Sequence, residues 1–293
     1  MSYGRLFHVI HQTTDSAQLT AWYTEVFGAV EFLPHSYLES EKRDASVVVI
    51  GDAAIEPLSP AFRVEGWEAT AVGRSYQRLG THLHSIAWFA DDVVEIWRRC
   101  QEAGVRTFGM RGPQLEPPDP AAPLFTHPKD TLTQLQFMRR EGSRYEALDP
   151  RLRTPWDPGH WVQGLAYLTV LCHDLDAAVH MYAGVLGGTE LGRGTSALTG
   201  TEDAYVRLGD VVVQLSLPMT DDSLAAADLA AHGAVLHGTA YAVSDLEAAR
   251  HHLERHGIGV LAADATTLLT DPATTYGAPM RFTTDWPGTR EPR

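Results

Sequence analysis

The strongest constraint on this chain is that it repeats itself. Four segments share one grammar of short apolar strand, acidic helix start, amphipathic helix and glycine exit: FHVIHQTTDSAQLTAWYTEVFGAVEF, LHSIAWFADDVVEIWRRCQEAGVRTF, LAYLTVLCHDLDAAVHMYAGVLGGTEL and LHGTAYAVSDLEAARHHLERHGIGVL. Asp15, Asp92, Asp174 and Asp245 take the same place in each. A carboxylate there can accept from the exposed N–H groups of the following helix and complement its dipole. Gly28, Gly104, Gly184 and Gly257 stand where the helices should end. Self-similarity at this scale points to one small supersecondary unit used several times.

The first and third units share a second match, VVVIGDAAIEPLSP against YVRLGDVVVQLSLP, in which Gly51-Asp52 and Gly209-Asp210 read as tight turns between strands. The second and fourth share another, FTHPKDTLTQLQF against LTDPATTYGAPMRF, a loop leading into a last strand. Each unit is therefore one strand and one helix followed by about three strands, an α+β arrangement. Units one and two make a half at residues 1–138, and units three and four a half at 162–293. The intervening 139–161 is rich in proline and charge and lacks periodicity, so it reads as a linker, with Trp156 and Trp161 placed to pack part of it down. The stretch MRGPQLEPPDPAAP inside unit two could rim a pocket. No GxGxxG fingerprint or P-loop is present.

Composition narrows the function classes. Lys and Arg total 23 against 37 Asp and Glu, a formal charge of -14, which opposes a nucleic-acid or polyphosphate partner. Two cysteines, Cys100 and Cys172, build neither a disulfide framework nor a paired metal motif. No run is long enough to cross a bilayer, and the N-terminus lacks the pattern of a secretory signal. The expectation is a soluble cytoplasmic protein with a small organic ligand and no membrane partner, either a monomer or a homodimer.

With these repeats, the chain resembles the vicinal oxygen chelate superfamily of glyoxalases, bleomycin-resistance proteins, methylmalonyl-CoA epimerases and extradiol dioxygenases. The resemblance spans nearly the whole chain as four βαβββ modules, and THPKDT at 126–131 is similar to the approach to the last strand in the epimerases. It implies paired modules whose curved sheets enclose a cavity, with a divalent ion bound inside in the metal-dependent members.

His8 lies on the first strand, where an imidazole can ligate a metal or be satisfied by hydrogen bonds. The resemblance places it at the first-strand ligand position. Glu56 lies between Ile55 and Pro57, and a carboxylate in such a strand must be paired, protonated, coordinated or turned to water. The resemblance gives it the last-strand ligand position of module one. In module two, counting back from Asp92 by the His8–Asp15 spacing lands on Ser85; a bulge would bring His84 inward instead, with His82 a weaker choice. On the terminal strand Gln134 and Gln136 share a face, and Gln136 is the nearer match to the fourth ligand. The expected metal set is thus His8, Glu56, His84 and Gln136, with Glu56 and Gln136 as the candidate catalytic residues. Such donors suit Fe(II), Mn(II), Co(II), Ni(II) or Zn(II).

The second half departs from this pattern, carrying Tyr167, Gln214, Gly238 (or adjacent His237) and Arg281 at the corresponding positions. An arginine there opposes a divalent cation, so this half should lack a four-ligand metal site, being either structural or able to hold an organic anion. Extradiol dioxygenases of this length usually keep their metal in the C-terminal pair, which argues against that branch. The leading expectation is a metal-dependent lyase, isomerase or epimerase for an oxygen-rich or enolisable substrate. The alternatives are a dioxygenase, or a metal-independent small-molecule or drug-binding resistance protein.

Overall fold

Each of the four repeated aspartates caps a helix. In the computed structural model, which describes residues 3–110, 112–139 and 160–287, the side chain of Asp15 accepts from Gln18 N, Asp92 from Glu95 N, Asp174 from Ala177 N, and Asp245 from Glu247 N and Ala248 N. An N-cap of this kind contributes about 1 kcal/mol and starts each helix at a fixed distance from the preceding strand. Module one runs β1 (Tyr3–Gln12), α1 (Ser16–Phe27), β2 (Val30–Leu38), β3 (Arg43–Ile50) and β4 (Ala53–Pro60). After α2 (Ala71–Leu79), module two runs β5 (His82–Ala90), α3 (Val93–Glu102), β6 (Thr107–Gly109), β7 (Gly112–Pro113), β8 (Leu124–Thr126), α4 (Pro128–Thr131) and β9 (Gln134–Met138).

The second half repeats the order. Module three is β10 (Val162–Leu171), α5 (Leu175–Val179), β11 (Thr189–Ser196), β12 (Thr201–Leu208) and β13 (Val211–Pro218). After α6 (Leu224–His232), module four is β14 (Leu236–Val243), α7 (Leu246–Arg255), β15 (Val260–Ala263), β16 (Thr267–Thr270) and β17 (Met280–Thr283). One detail corrects the expected helix exits. The third helix continues beyond Val179 as a π-helical turn over His180–Val185 that contains Gly184, and the left-handed residue is Gly187 at φ +78°.

The strands form two mixed sheets, ordered β2-β3-β4-β1-β5-β9-β8-β6-β7 and β11-β12-β13-β10-β14-β17-β16-β15. In each, the first strands of two modules pair antiparallel at the centre (β1 with β5, β10 with β14), flanked by parallel last strands (β4 and β9, β13 and β17). Alternation then gives each strand two faces. Leu6, Val9, Ile86, Trp88, Leu135 and Phe137 join the main core, while Phe7, Ala87, Phe89 and Met138 form a separate cluster.

The main core is shared by both halves. Phe27 of α1 stacks on Trp161 (5.7 Å) and on Phe282 of β17 (6.1 Å), and Trp88 Nε1 donates to Leu208 O at 3.1 Å. Burying a ring of this size is worth roughly 2–3 kcal/mol, so these contacts tie the halves firmly. Trp161 packs as its composition suggested; Trp156 and residues 140–159 of the expected linker lie outside the described residues.

The two Gly-Asp turns join the halves reciprocally. Asp52 Oδ1 accepts from Leu165 N (2.9 Å) on β10, and Asp210 Oδ1 from Leu6 N (2.7 Å) on β1, where bulges interrupt both central ladders. Gly209 is obligatory in its turn, since its φ is +65° and a Cβ would meet Gly4 O at 2.3 Å.

Candidate functional site

Strand register decides which side chains meet. In the first sheet Ile10 pairs with both Glu56 and Ser85, and Ser85 with Gln134, so these form one row across four strands. The neighbouring row is His8, Ala87 and Gln136. Small residues in the middle, Ser85 and Ala87, leave room between His8 and Glu56 on one side and the two glutamines on the other. The β1–β5 register steps from Ile10↔Ser85 to His11↔Leu83, which leaves His84 as the extra residue of a bulge. His84 remains partly accessible, places Nδ1 3.1 Å from Ser85 Oγ, and interacts electrostatically with Glu56.

His8 and Glu56 are both buried, with His8 Nε2 3.3 Å from Glu56 Oε2. That approach lacks hydrogen-bond geometry, and neither ring nitrogen of His8 has a hydrogen-bond partner. Buried imidazole nitrogens without a partner are costly, so a site that keeps them has a use for them. His11, one turn of the pleat away, shows the contrast: Nδ1 meets Tyr23 Oη and Nε2 meets Tyr276 O, both at 2.8 Å. Glu56 Oε1 is held by the guanidinium of Arg43, which also lies 2.8 Å through Nε from Glu41 Oε2. Burial pushes the Glu56 carboxyl up, but Arg43 and His8 outweigh it and hold it below the usual range. Burial pushes His8 down against the pull of Glu56, and burial with Arg78 takes His84 down to about 4. The face therefore offers one carboxylate oxygen and two neutral imidazoles, a donor set that fits a divalent ion. Arg43 was missed in the sequence because its contact with Glu56 is diagonal, β3 pairing Arg43 with Pro60.

A second histidine–carboxylate group lies where the halves meet. Among the described residues, His82, Asp228 and His232 form the group of three whose ligand atoms lie within 4.8 Å of one another; His8, Glu56 and His84 do not converge that closely. His82 Nδ1 meets Leu83 O at 2.7 Å, which aims Nε2 at Asp228 (3.1 Å), and His232 Nδ1 and His237 Nδ1 reach the same carboxylate at 2.7 and 2.6 Å. An imidazole fixed through its other nitrogen by a carbonyl is how metal-ligating histidines are commonly oriented, and this group is compatible with a divalent ion. As it stands, burial pushes Asp228 up but hydrogen bonds from His237 and His82 bring it below the ordinary range, while those bonds lift His82 against burial. Asp228 and His232 were not singled out in the sequence. Their signal was the four-residue spacing that puts both on one face of α6, a helix outside the repeated unit.

The second sheet has the same register with different chemistry. Thr169 pairs with Gln214 and Gly238, Tyr167 with Ala240, and Ala240 with Arg281, while His237 takes the bulge position. Arg281 Nη1 donates to Thr169 Oγ1 (2.7 Å) and Gln214 Oε1 (2.6 Å), and the guanidinium lies 5.8 Å from the Tyr167 ring. The guanidinium thus stands at the register position that Gln136 takes in the first sheet. A cavity of about 420 Å³ opens beside it, lined in part by His237 and Arg281. None of the described residues of 110–123 lines this cavity, and His127 caps α4, accepting from Lys129 N at 3.2 Å. No helix among the described residues is long and apolar enough to cross a membrane.

One solved structure agrees with this architecture over nearly the whole chain. A search of curated proteins found no match in sequence. A triply substituted 4-hydroxymandelate synthase from Streptomyces coelicolor is similar in fold, with a TM-score of 0.70 and 14% identity over 99% of this chain and 95% of that one. Methylmalonyl-CoA epimerase from Mycobacterium tuberculosis overlaps 46% of this chain and 95% of its own at 21% identity and a TM-score of 0.41. Residues 168–271 match the family model described as Glyoxalase/Bleomycin resistance protein/Dioxygenase superfamily. The first half repeats the strand order of the half that contains those residues, so the similarity in sequence lies in the second half and the similarity in fold spans both.

Proposed function

We propose that this chain is a divalent-metal-dependent enzyme for an oxygen-rich or enolisable small molecule, acting at the face of the first sheet that carries His8 and Glu56. The reaction class is lyase, isomerase or epimerase chemistry. Residues 1–138 form the working domain, 139–161 a linker, and 162–293 a domain with a degenerate metal position. The observation that carries the proposal is His8, buried with both ring nitrogens unpartnered, 3.3 Å from a carboxylate. His8, Glu56 and His84 would hold the ion, with Gln136 as fourth ligand or substrate neighbour.

When bound, such an ion supplies Lewis acidity that lowers the cost of negative charge on a substrate oxygen. With Oε1 held by Arg43, Oε2 of Glu56 would be shared between holding the ion and accepting a proton from the adjacent carbon. Arg43 sets its basicity, because a carboxylate held ionised by a guanidinium is a weaker base than a free one. Gln136 offers an amide that can donate to, or accept from, a substrate oxygen but takes no proton. The apolar residues Phe7, Phe89 and Met138 beside these groups keep water from part of the face.

The alternative is a metal-independent small-molecule binding or resistance protein. It draws support from Arg43, which already neutralises Glu56 without a metal. Deuterium exchange separates the two. Metal-loaded protein is incubated in D2O with 2-oxo acids and β-dicarbonyl acids, and carbon-bound deuterium is read by mass spectrometry. Exchange above the protein-free rate, lost in Glu56→Gln, is the expected result; compounds recovered without deuterium or chemical change under every metal would favour the binding protein.

A further inference from the structure

Arg281 is 4% exposed, and among the described residues no carboxylate lies within salt-bridge distance of it. Its contacts are neutral: Nη1 donates to a threonine hydroxyl and a glutamine carbonyl, and Nε has no partner. Asp203 feels the charge of Arg281 but makes no salt bridge with it, its Oδ1 accepting from Ser216 Oγ at 2.6 Å. A desolvated guanidinium is stable only where something supplies the missing negative charge.

The cavity beside it has the shape and lining for that supply. Leu261 and Leu269 form apolar wall, and Leu224 and Ala225, the first residues of α6, form another side. The α6 N-terminus, where Ser223 Oγ accepts from Ala226 N, adds a positive dipole end. His237 also lines the space, its Nδ1 fixed by Asp228. Asp222 is on the lining too, but it is exposed to solvent, where its charge is screened.

We propose that this cavity of the second sheet is a metal-free binding site for a small organic carboxylate, its carboxylate paired with Arg281 and its apolar part against Leu261 and Leu269. Leu269 is the cross-strand partner of Arg281, and an apolar wall beside the cation selects an organic acid over a bare inorganic anion. The site is independent of the His8–Glu56 face and of any ion bound there.

The test is calorimetric titration of the full chain with phenylacetate, phenylacetamide and acetate. Phenylacetate should bind at one per chain and at least tenfold more tightly than its uncharged amide, as expected when a charge-assisted pair is lost, and more tightly than acetate. Arg281→Met should remove the preference for the acid. Leu261→Trp should weaken phenylacetate at least tenfold by filling the mouth of the cavity; Leu261 is 54% exposed, so this variant tests the site even if Arg281→Met does not fold. His8→Ala should leave the titration unchanged. Equal affinity for acid and amide, unchanged binding in Arg281→Met or Leu261→Trp, or loss of binding in His8→Ala would each overturn the proposal.

Discussion

The centres of the two sheets occupy the same register and are built around opposite charges. In the first, Glu56 is the buried ion, neutralised from the side by Arg43, with His8 unpartnered beside it. In the second, the matching positions carry Gln214, Tyr167 and Arg281, and the buried ion is a cation resting on neutral acceptors. One backbone thus presents a carboxylate with spare coordination in one half and a guanidinium without a counter-ion in the other. Duplication preserved the strand order, and the site chemistry diverged at a handful of inward positions.

The largest expected effect follows from that asymmetry. Glu56→Leu leaves Arg43 with only the more exposed Glu41, and breaking a buried pair from one side costs about 3 kcal/mol or more. Urea unfolding should show that loss, and Glu56→Leu with Arg43→Met should recover most of it. In the second sheet Gln214→Leu removes one of two neutral acceptors from Arg281, a cost of about 1–3 kcal/mol by the same measurement. Equal losses at the two positions would remove the distinction between an ionic and a neutral centre.

The next effect is an acid response at His11. His11 has a folded pKa of about 4, depressed by burial, against an ordinary 6.5. Above pH 6.5 it is neutral in both states; as pH falls from 6.5 toward 4 the unfolded chain takes up a proton that the folded chain refuses, so stability is lost. That difference corresponds to roughly 3 kcal/mol, and His11→Gln should flatten this part of the pH–stability curve. The smallest effect is expected at His8. Its ring nitrogens make no hydrogen bond, so His8→Leu should change unfolding free energy by no more than about 1 kcal/mol, or stabilise the fold, because no hydrogen bond is lost.

Much of this molecule was legible in the sequence for local reasons. An Asp cap, a glycine exit and a Gly-Asp turn act over a few residues, so four copies revealed the modules and their α+β order. Pairing Tyr167, Gln214 and Arg281 with His8, Glu56 and Gln136 required only that the repeats align, and strand register places them accordingly. What depended on non-local contacts stayed hidden. Arg43 reaches Glu56 across a diagonal between strands, and His82 meets Asp228 from a helix more than a hundred residues away. His84 turned on a single bulge, which alternation alone leaves open. The helix exit misplaced at Gly184 reflects a π-helical turn, whose extra residue shifts the end.

The central claim concerns where a divalent ion binds. Chelator-treated protein titrated with Mn(II), Co(II), Ni(II) or Zn(II), and with Fe(II) under anaerobic conditions, should take up one ion per chain with at least one of them. Anomalous scattering should place that ion between His8 and Glu56, with uptake there lost in His8→Ala and retained in His232→Ala. An ion found instead at His82, Asp228 and His232, unaffected by His8→Ala, or no uptake of any of these metals, would contradict the account.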